Sequence, residues 1–443
     1  MGCISYEKPP KTEDEITLYK ASMRNYPSSI QIYSGNQIHS FVIRALVHLK
    51  EEISFTELRY AVDTAIKRYP YLAQKIVHDS DERDLLFLPN DVPICIFHDL
   101  DEHILSSEET NYHIQCVCYD GNSICFDISH GFADGAVLTE WVKTVLYYYL
   151  TKKHNIELDS TYIKTVEDSI PEEEFLDPLK PYVDDLMNQA QAIDAPPPPS
   201  DPPARIHDFY PTTPAQQNVT FWVDAKDFMG FAKTNDGSPA TFVVALIAKI
   251  LHKKNKSLKA PLFCETVLNL KEAIHAKSSH FPILSPIRIA YPAKVLDHDL
   301  ETLTIMMRGK VISSQYDANT VIKNVAKISA NILSLPTIQE KKQVCIAAVD
   351  NAKSTNTFAV SYTGKVPFGV LEQYIDTFYF LVSNDPSDLM VEITSVGNKL
   401  CFSLMQTFCE DTLARDIVSC FEENGVSVKD YSSQALKYPR LSI

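Results

Sequence analysis

Alternation of apolar and polar positions marks one short stretch of this chain above the rest. In Ser123–His130, the residues Ile124, Phe126 and Ile128 share one face, and a period of two carries His130 onto it. Cys125, Asp127 and Ser129 point the other way. Upstream, Tyr112–Tyr119 reads as a second strand, joined through Asp120-Gly121-Asn122, a tight-hairpin signal. Downstream, Ala136, Leu138, Val142, Val145, Leu146 and Tyr149 fall near a 3.6-residue period, which predicts a helix. The segment is strand, sharp turn, helix, with an inward-pointing imidazole at the junction. A polar ring there needs a hydrogen-bond partner or a task. A satisfied core histidine is the plain alternative.

The same patterning orders the rest of the chain. Ser40–Leu49 is strand-like. Ser54 and Glu57 have the spacing of a capping box, opening a helix whose apolar face is Phe55, Leu58, Ala61, Val62, Ala65, Ile66 and Tyr69. That helix stops before Pro70. Leu85–Leu88 and Ile94–Phe97 are short apolar pieces. From Glu167 to Asp177 the chain is acidic, and Ala195–Pro203 is a polyproline segment with no core-forming pattern, which predicts a boundary. The second half restarts with strand Val219–Val223. Ser238 and Pro239 then supply an N-cap and first-turn proline for the helix Thr241–Leu251. Val267–Lys271, Ala359–Thr363, Thr377–Val382, Met390–Val396 and Leu400–Leu404 read as strands, with a hairpin turn at Gly397-Asn398. A last helix covers about Asp411 to Glu423 and ends at Gly425. Strands and helices alternate in both halves, which predicts an α/β or α+β pair of layered domains. Their bounds are 1–190, a linker at 191–218, and 219–443.

Composition narrows the function. The chain has 443 residues, long enough for two ordinary domains, with the hydrophobic (45%) and charged (22%) fractions of a soluble globular protein. No apolar run approaches membrane-spanning length, and no basic-then-apolar leader opens the sequence. Met1-Gly2-Cys3 hints at lipidation, but Tyr6 stands where a myristoylation site wants Ser or Thr. A net charge of −16 argues against a nucleic-acid partner. An anionic cofactor would need a local basic patch, and Lys253, Lys254 and Lys256 form the one dense candidate; a solvated loop after a helix is the other explanation. The ten cysteines include no Cys-x-x-Cys pair, and free buried thiols in a reducing cytoplasm fit best.

The stretch His130-Gly-Phe-Ala-Asp134-Gly135 has the form His-x-x-x-Asp-Gly. It resembles the active-site motif of the chloramphenicol acetyltransferase-like superfamily, which includes condensation domains, plant acyltransferases, polyketide-associated acyltransferases and alcohol acetyltransferases. The opening strand and helix followed by Arg68-Tyr-Pro-Tyr-Leu72 resemble the start of the same superfamily. The resemblance implies two similar subdomains forming a pseudo-dimer, with a crossover linker between them and His130 in a channel at their interface. It makes His130 the general base, lets Gly135 start the helix close to the strand, and makes Asp134 structural, paired with a cation. The superfamily often supplies that cation as the arginine of Asn-x-Arg, and here Asn269-Leu270-Lys271 puts a lysine in its place. Lysine carries the charge but not the two-pronged guanidinium. Ser129 stands where condensation domains double the histidine, on the opposite strand face. The plant Asp-Phe-Gly-Trp-Gly motif is absent, and the short loop Ser361-Tyr-Thr-Gly364-Lys365 occupies a comparable late position.

Acyl transfer from a thioester needs a base for the acceptor's proton, worth ~10²–10⁴-fold in rate, and a donor aimed at the developing oxyanion. It needs no enzyme nucleophile, and the chain has no Gly-x-Ser-x-Gly elbow. The implied reaction moves an acyl group from acyl-coenzyme A, a co-substrate and not a permanently bound cofactor, to an alcohol, in a monomeric cytoplasmic protein. Two other readings remain: condensation or transfer to an amine or hydroxyl using a carrier protein acting in trans, and a catalytically silent binding protein. A metal site on His130 and Asp134 is disfavoured, because the turn separates them and no histidine cluster accompanies them. His275 and His280 lie in a polar stretch and are expected at the surface.

Overall fold

A computed structural model describes residues 26–36, 39–187, 202–212, 216–383, 385, 387–408, 410–435 and 438–442. The Met1-Gly2-Cys3 opening and most of the proline-rich segment lie outside the described residues. The first half supplies strands β1 (Val42–Leu49), β2 (Ile96–Phe97), β3 (Gln115–Asp120) and β4 (Ser123–Ser129). The second supplies β5 (Gln217–Asp224), β6 (Leu262–Asn269), β7 (Leu284–Tyr291), β8 (Phe358–Val366), β9 (Ile375–Val382), β10 (Leu389–Val396), β11 (Lys399–Gln406) and β12 (Val428–Ala435). The helices are α1 (Phe55–Ala65), α2 (Gly135–His154), α3 (Lys180–Met187), α4 (Ala225–Thr234), α5 (Pro239–Lys254), α6 (Leu300–Tyr316), α7 (Ala318–Ser334), α8 (Ile338–Thr355) and α9 (Thr412–Glu423).

Two sheets organise the molecule. The first has the order β9-β1-β4-β3-β2 and the second β7-β6-β8-β10-β11-β5-β12. One strand crosses between the halves: β9, far beyond the proline-rich segment, pairs antiparallel with β1 from Ile43↔Val382 to Leu49↔Ile375. The chain then crosses into β10 of the second sheet. The outer face of the second sheet carries the apolar positions Phe221 and Phe402, which pack with Phe228, Phe242 and Phe421 from α4, α5 and α9. Its opposite face meets the first sheet, where Trp222 packs edge-on against Tyr379 of β9 at 5.8 Å. The opening helical turns at Pro27–Ser34 pack between second-half helices, and Ser329 of α7 donates to the Pro27 carbonyl at 2.9 Å.

Several local expectations need correction. Ser54 is the N-cap residue of α1, but its hydroxyl bonds the Glu57 carboxylate and caps no backbone amide, so the capping box is not formed. Phe55, assigned to the apolar face, is 48% exposed, and Ala136 is also exposed. The strand expected at Val267–Lys271 runs over Leu262–Asn269. Ser361–Lys365 is no loop: β8 continues through it, with a bulge at Tyr362/Gly364 that gives Gly364 a φ of +89°. Tyr210, which follows the proline-rich segment, is buried and stacks on Phe408 at 4.8 Å.

Candidate active site

His130 follows β4 directly and is half-buried. Its amide donates to the Phe41 carbonyl at 2.7 Å, which fastens the strand end to the residue before β1. Its ring Nδ1 lies 3.1 Å from the Ala133 carbonyl. A carbonyl only accepts, so Nδ1 carries the hydrogen and the lone pair sits on Nε2. The partner is thus a backbone atom three residues on, which a residue pattern does not reveal.

Asp134 turns away from the imidazole. It is the N-cap of α2, and its Oδ1 accepts from the Val137 amide at 3.1 Å. Its Oδ2 lies 2.5 Å from Lys271 Nζ, a contact ion pair rather than a well-aligned hydrogen bond. Lys271 Nζ also donates to the Ser279 carbonyl at 2.7 Å, and the Lys271 amide donates to Asn269 Oδ1 at 2.9 Å. Both charged side chains are buried. The pair ties the turn after β4 to the end of β6, joining the halves.

Two glycines border this turn and differ in need. A Cβ on Gly135 would meet Thr363 Cγ2 at 3.4 Å, ordinary contact. A Cβ on Gly131 would fall 2.8 Å from Ile32 Cγ2 and 3.0 Å from the Ile32 amide nitrogen. Gly131 therefore carries the close approach that sequence reading gave to Gly135.

Polar residues from the second sheet face the same region. Thr220, Ser403, Glu392 and Ser361 stand in register across β5, β11, β10 and β8. They share the face of Trp222, which looks toward the first sheet. Thr363, the neighbour of Gly135, donates its hydroxyl to Glu392. Burial pushes the Glu392 carboxyl up to about 7, against opposing hydrogen bonds from Thr363 and Ser361. The alternation that places Glu392 inward is readable in β10, but its partners come from another strand.

The first half also holds two buried ion pairs that local sequence pattern does not reveal. Arg44 holds Asp127 with Nε to Oδ1 and Nη2 to Oδ2, both at 2.8 Å, and donates to the Leu100 and Asp101 carbonyls. Glu174, from the acidic stretch, accepts two bonds from Arg68, one from Tyr71 and one from Lys164, all at 2.8 Å. Those bonds outweigh burial and draw its carboxyl down to about 2. His280, expected at the surface, is buried against Tyr71, Phe132 and Phe281. Burial lowers its pKa to about 3, and its Nδ1 bonds the Glu174 carbonyl at 2.8 Å. His275 is exposed as expected.

Lys253, Lys254 and Lys256 lie at the exposed end of α5, the helix covering the outer face of the second sheet, and Lys254 sits over the Tyr210 ring at 4.3 Å. Two clusters among the described residues group metal-type ligands: Asp99, His103 and Cys118, and Cys116, Cys118 and Asp127. Asp127 is already held by Arg44, and both His103 ring nitrogens face the carboxylates of Asp99 and Glu109. No described helix is long and apolar enough to cross a membrane.

No family model matches this sequence, and no curated protein matches it. Solved structures do. Polyketide synthase associated protein 5 from Mycobacterium tuberculosis superposes with a TM-score of 0.56 at 13% identity, over 89% of this chain and 96% of that one. Fusarium graminearum TRI101, solved with coenzyme A and deoxynivalenol, gives 0.59 at 11% identity, over 90% and 98%. TRI3 trichothecene 15-O-acetyltransferase from Fusarium sporotrichioides gives 0.59 at 12% identity, over 90% and 93%. This chain has the two-subdomain chloramphenicol acetyltransferase-like fold of acyltransferases and condensation domains.

Proposed function

We propose that this protein transfers an acyl group from acyl-coenzyme A to an alcohol, with His130 as general base and no covalent enzyme intermediate. The observation that carries the reading is the Ala133 carbonyl at His130 Nδ1, which leaves the ring lone pair on Nε2. In the reaction, Nε2 takes the hydroxyl proton as the acceptor oxygen attacks the thioester carbonyl. The tetrahedral intermediate then expels the thiolate, the carbon–sulfur bond breaks, and the imidazolium returns the proton to sulfur. An ester and free coenzyme A result. Asp134 and Lys271 hold the turn that presents the imidazole, and Asn269 fixes the Lys271 backbone. Ser361 and Gly364, beside and in the β8 bulge, shape the facing wall.

A small-molecule donor is favoured over a carrier protein. Carrier proteins are commonly acidic, and a chain of net charge −16 repels them in the absence of a local basic dock. Coenzyme A is also anionic, but a few cations suffice to hold it, and Lys253, Lys254 and Lys256 are the candidates. The free, mostly buried cysteines suit a reducing compartment such as the cytoplasm, and we assign a monomer.

The test is a side-by-side assay of acetyl-coenzyme A and the same acyl group on a carrier protein, against a panel of alcohols and amines. Faster transfer from coenzyme A to an alcohol is expected. A much higher rate from the carrier-bound donor would move the assignment to carrier-dependent transfer or condensation. No turnover with any thioester would leave a binding protein of the same fold.

A further inference from the structure

The residue that holds the His130 amide is itself held in an unfavourable conformation. Phe41 has a φ of +42°, where the Cβ of an L residue crowds the following carbonyl oxygen. Such strain persists only when the surroundings over-determine it. Here they do so through one carboxylate. Asp385 Oδ2 accepts from the Phe41 amide at 3.0 Å, and Oδ1 accepts from the Ser40 amide at 3.3 Å. The Ser40 hydroxyl approaches the same group at 3.5 Å. His39 Nδ1 lies 3.5 Å from Asp385 Oδ1, while its Nε2 faces Asp350 of α8 at 3.1 Å. The hydrogen bond to Asp385, and then the two carboxylate charges, raise the His39 pKa against burial. Asp385 is buried, and it sits where the chain passes from β9 in the first sheet to β10 in the second.

We propose that Asp385 is a positioning residue for His130, acting through the backbone of Ser40 and Phe41. The inference rests on the reading of His130 as the base. Asp385 pins two successive amides, which turns Phe41 into its left-handed conformation and aims its carbonyl at the His130 amide. That bond and the Ala133 carbonyl at Nδ1 fix the imidazole at two points, one on the backbone and one on the ring. The carboxylate comes from the connection between the sheets, so base alignment depends on correct docking of the halves. His39 holds Asp385 from its far side.

The decisive variants are Asp385→Ala, the milder Asp385→Asn, and each combined with Phe41→Gly. Asp385→Ala lowers kcat by about tenfold or more while KM for both substrates stays within about twofold, because alignment and not binding is lost. Phe41→Gly in that background restores a large part of kcat, since glycine adopts positive φ without the clash and needs less holding. Should Asp385→Ala fail to fold, Asp385→Asn, which keeps one acceptor oxygen, shows the same pattern at smaller size. Nitrogen NMR of histidine-labelled protein adds a readout independent of turnover: the Nδ1-protonated form of His130 loses its predominance in the Asp385 variants. Wild-type kcat in Asp385→Ala, a loss that Phe41→Gly leaves unchanged, or an unaltered His130 spectrum each overturns the proposal. An active His130→Ala protein would instead reject the base assignment, and the NMR comparison would still decide the clamp.

Discussion

Glu392 should make this protein less stable as pH rises. It is buried on β10, in a row of uncharged hydroxyls, and its carboxyl is held near 7 against an ordinary value of 4.5. A raised carboxyl binds its proton more tightly in the folded state, so its contribution is complete below 4.5 and lost as pH climbs through about 7. The gap corresponds to about 3 kcal/mol in total. About 1 kcal/mol of that is lost between about pH 6 and about pH 8.5, a window clear of the sequence pI of 5.3. Glu392→Gln keeps the volume and removes the titration. Its Nε2 amide can still serve the polar row, and its carbonyl can still accept from Thr363. Urea titrations of both proteins at the two pH values should show the stability difference shifting toward the variant by about that amount. A difference that does not change with pH, or that shifts toward the wild type, would refute the burial argument.

Two further perturbations address the turn after β4. Asp134→Asn still caps α2 at the Val137 amide but leaves Lys271 buried without its anion, so urea titration should register a loss of ~3–5 kcal/mol together with lost activity; full stability with no activity would make Asp134 a chemical participant. Gly131→Ala should cost ~1–3 kcal/mol through its clash with Ile32, whereas Gly135→Ala should stay within about 1 kcal/mol, and equal denaturation midpoints would contradict the assignment of the close approach to Gly131.

The sequence carried the skeleton of the site better than its connections. Alternation in Ser123–Ser129 placed β4, and the glycine turn and apolar period after it placed α2, because both elements bury one face with a clear period. Helix α9 and its end at Gly425, with φ of +78°, followed from the same local rules. The three helices spanning Leu300–Thr355 went unread, although α7 is strongly amphipathic, because no strand-forming or glycine-turn signal separates them. The β9–β1 pairing was invisible for another reason: nothing in Ile375–Val382 says which sheet it enters. His280 follows the polar run Lys277-Ser278-Ser279, which points to the surface, whereas in space it packs against Tyr71 and Phe132 as well as the Phe281 that follows it. Strand parity gives Asp127 a face but no partner, because Arg44 lies on the adjacent strand. Long-range pairing, in each case, decided what local pattern left open.

The central claim is that His130 is the base, and His130→Ala tests it most directly. Turnover of acetyl-coenzyme A with the best alcohol should fall by ~10²-fold or more, while circular dichroism and the denaturation midpoint stay those of the wild type. Turnover retained within about tenfold of wild type would contradict the account.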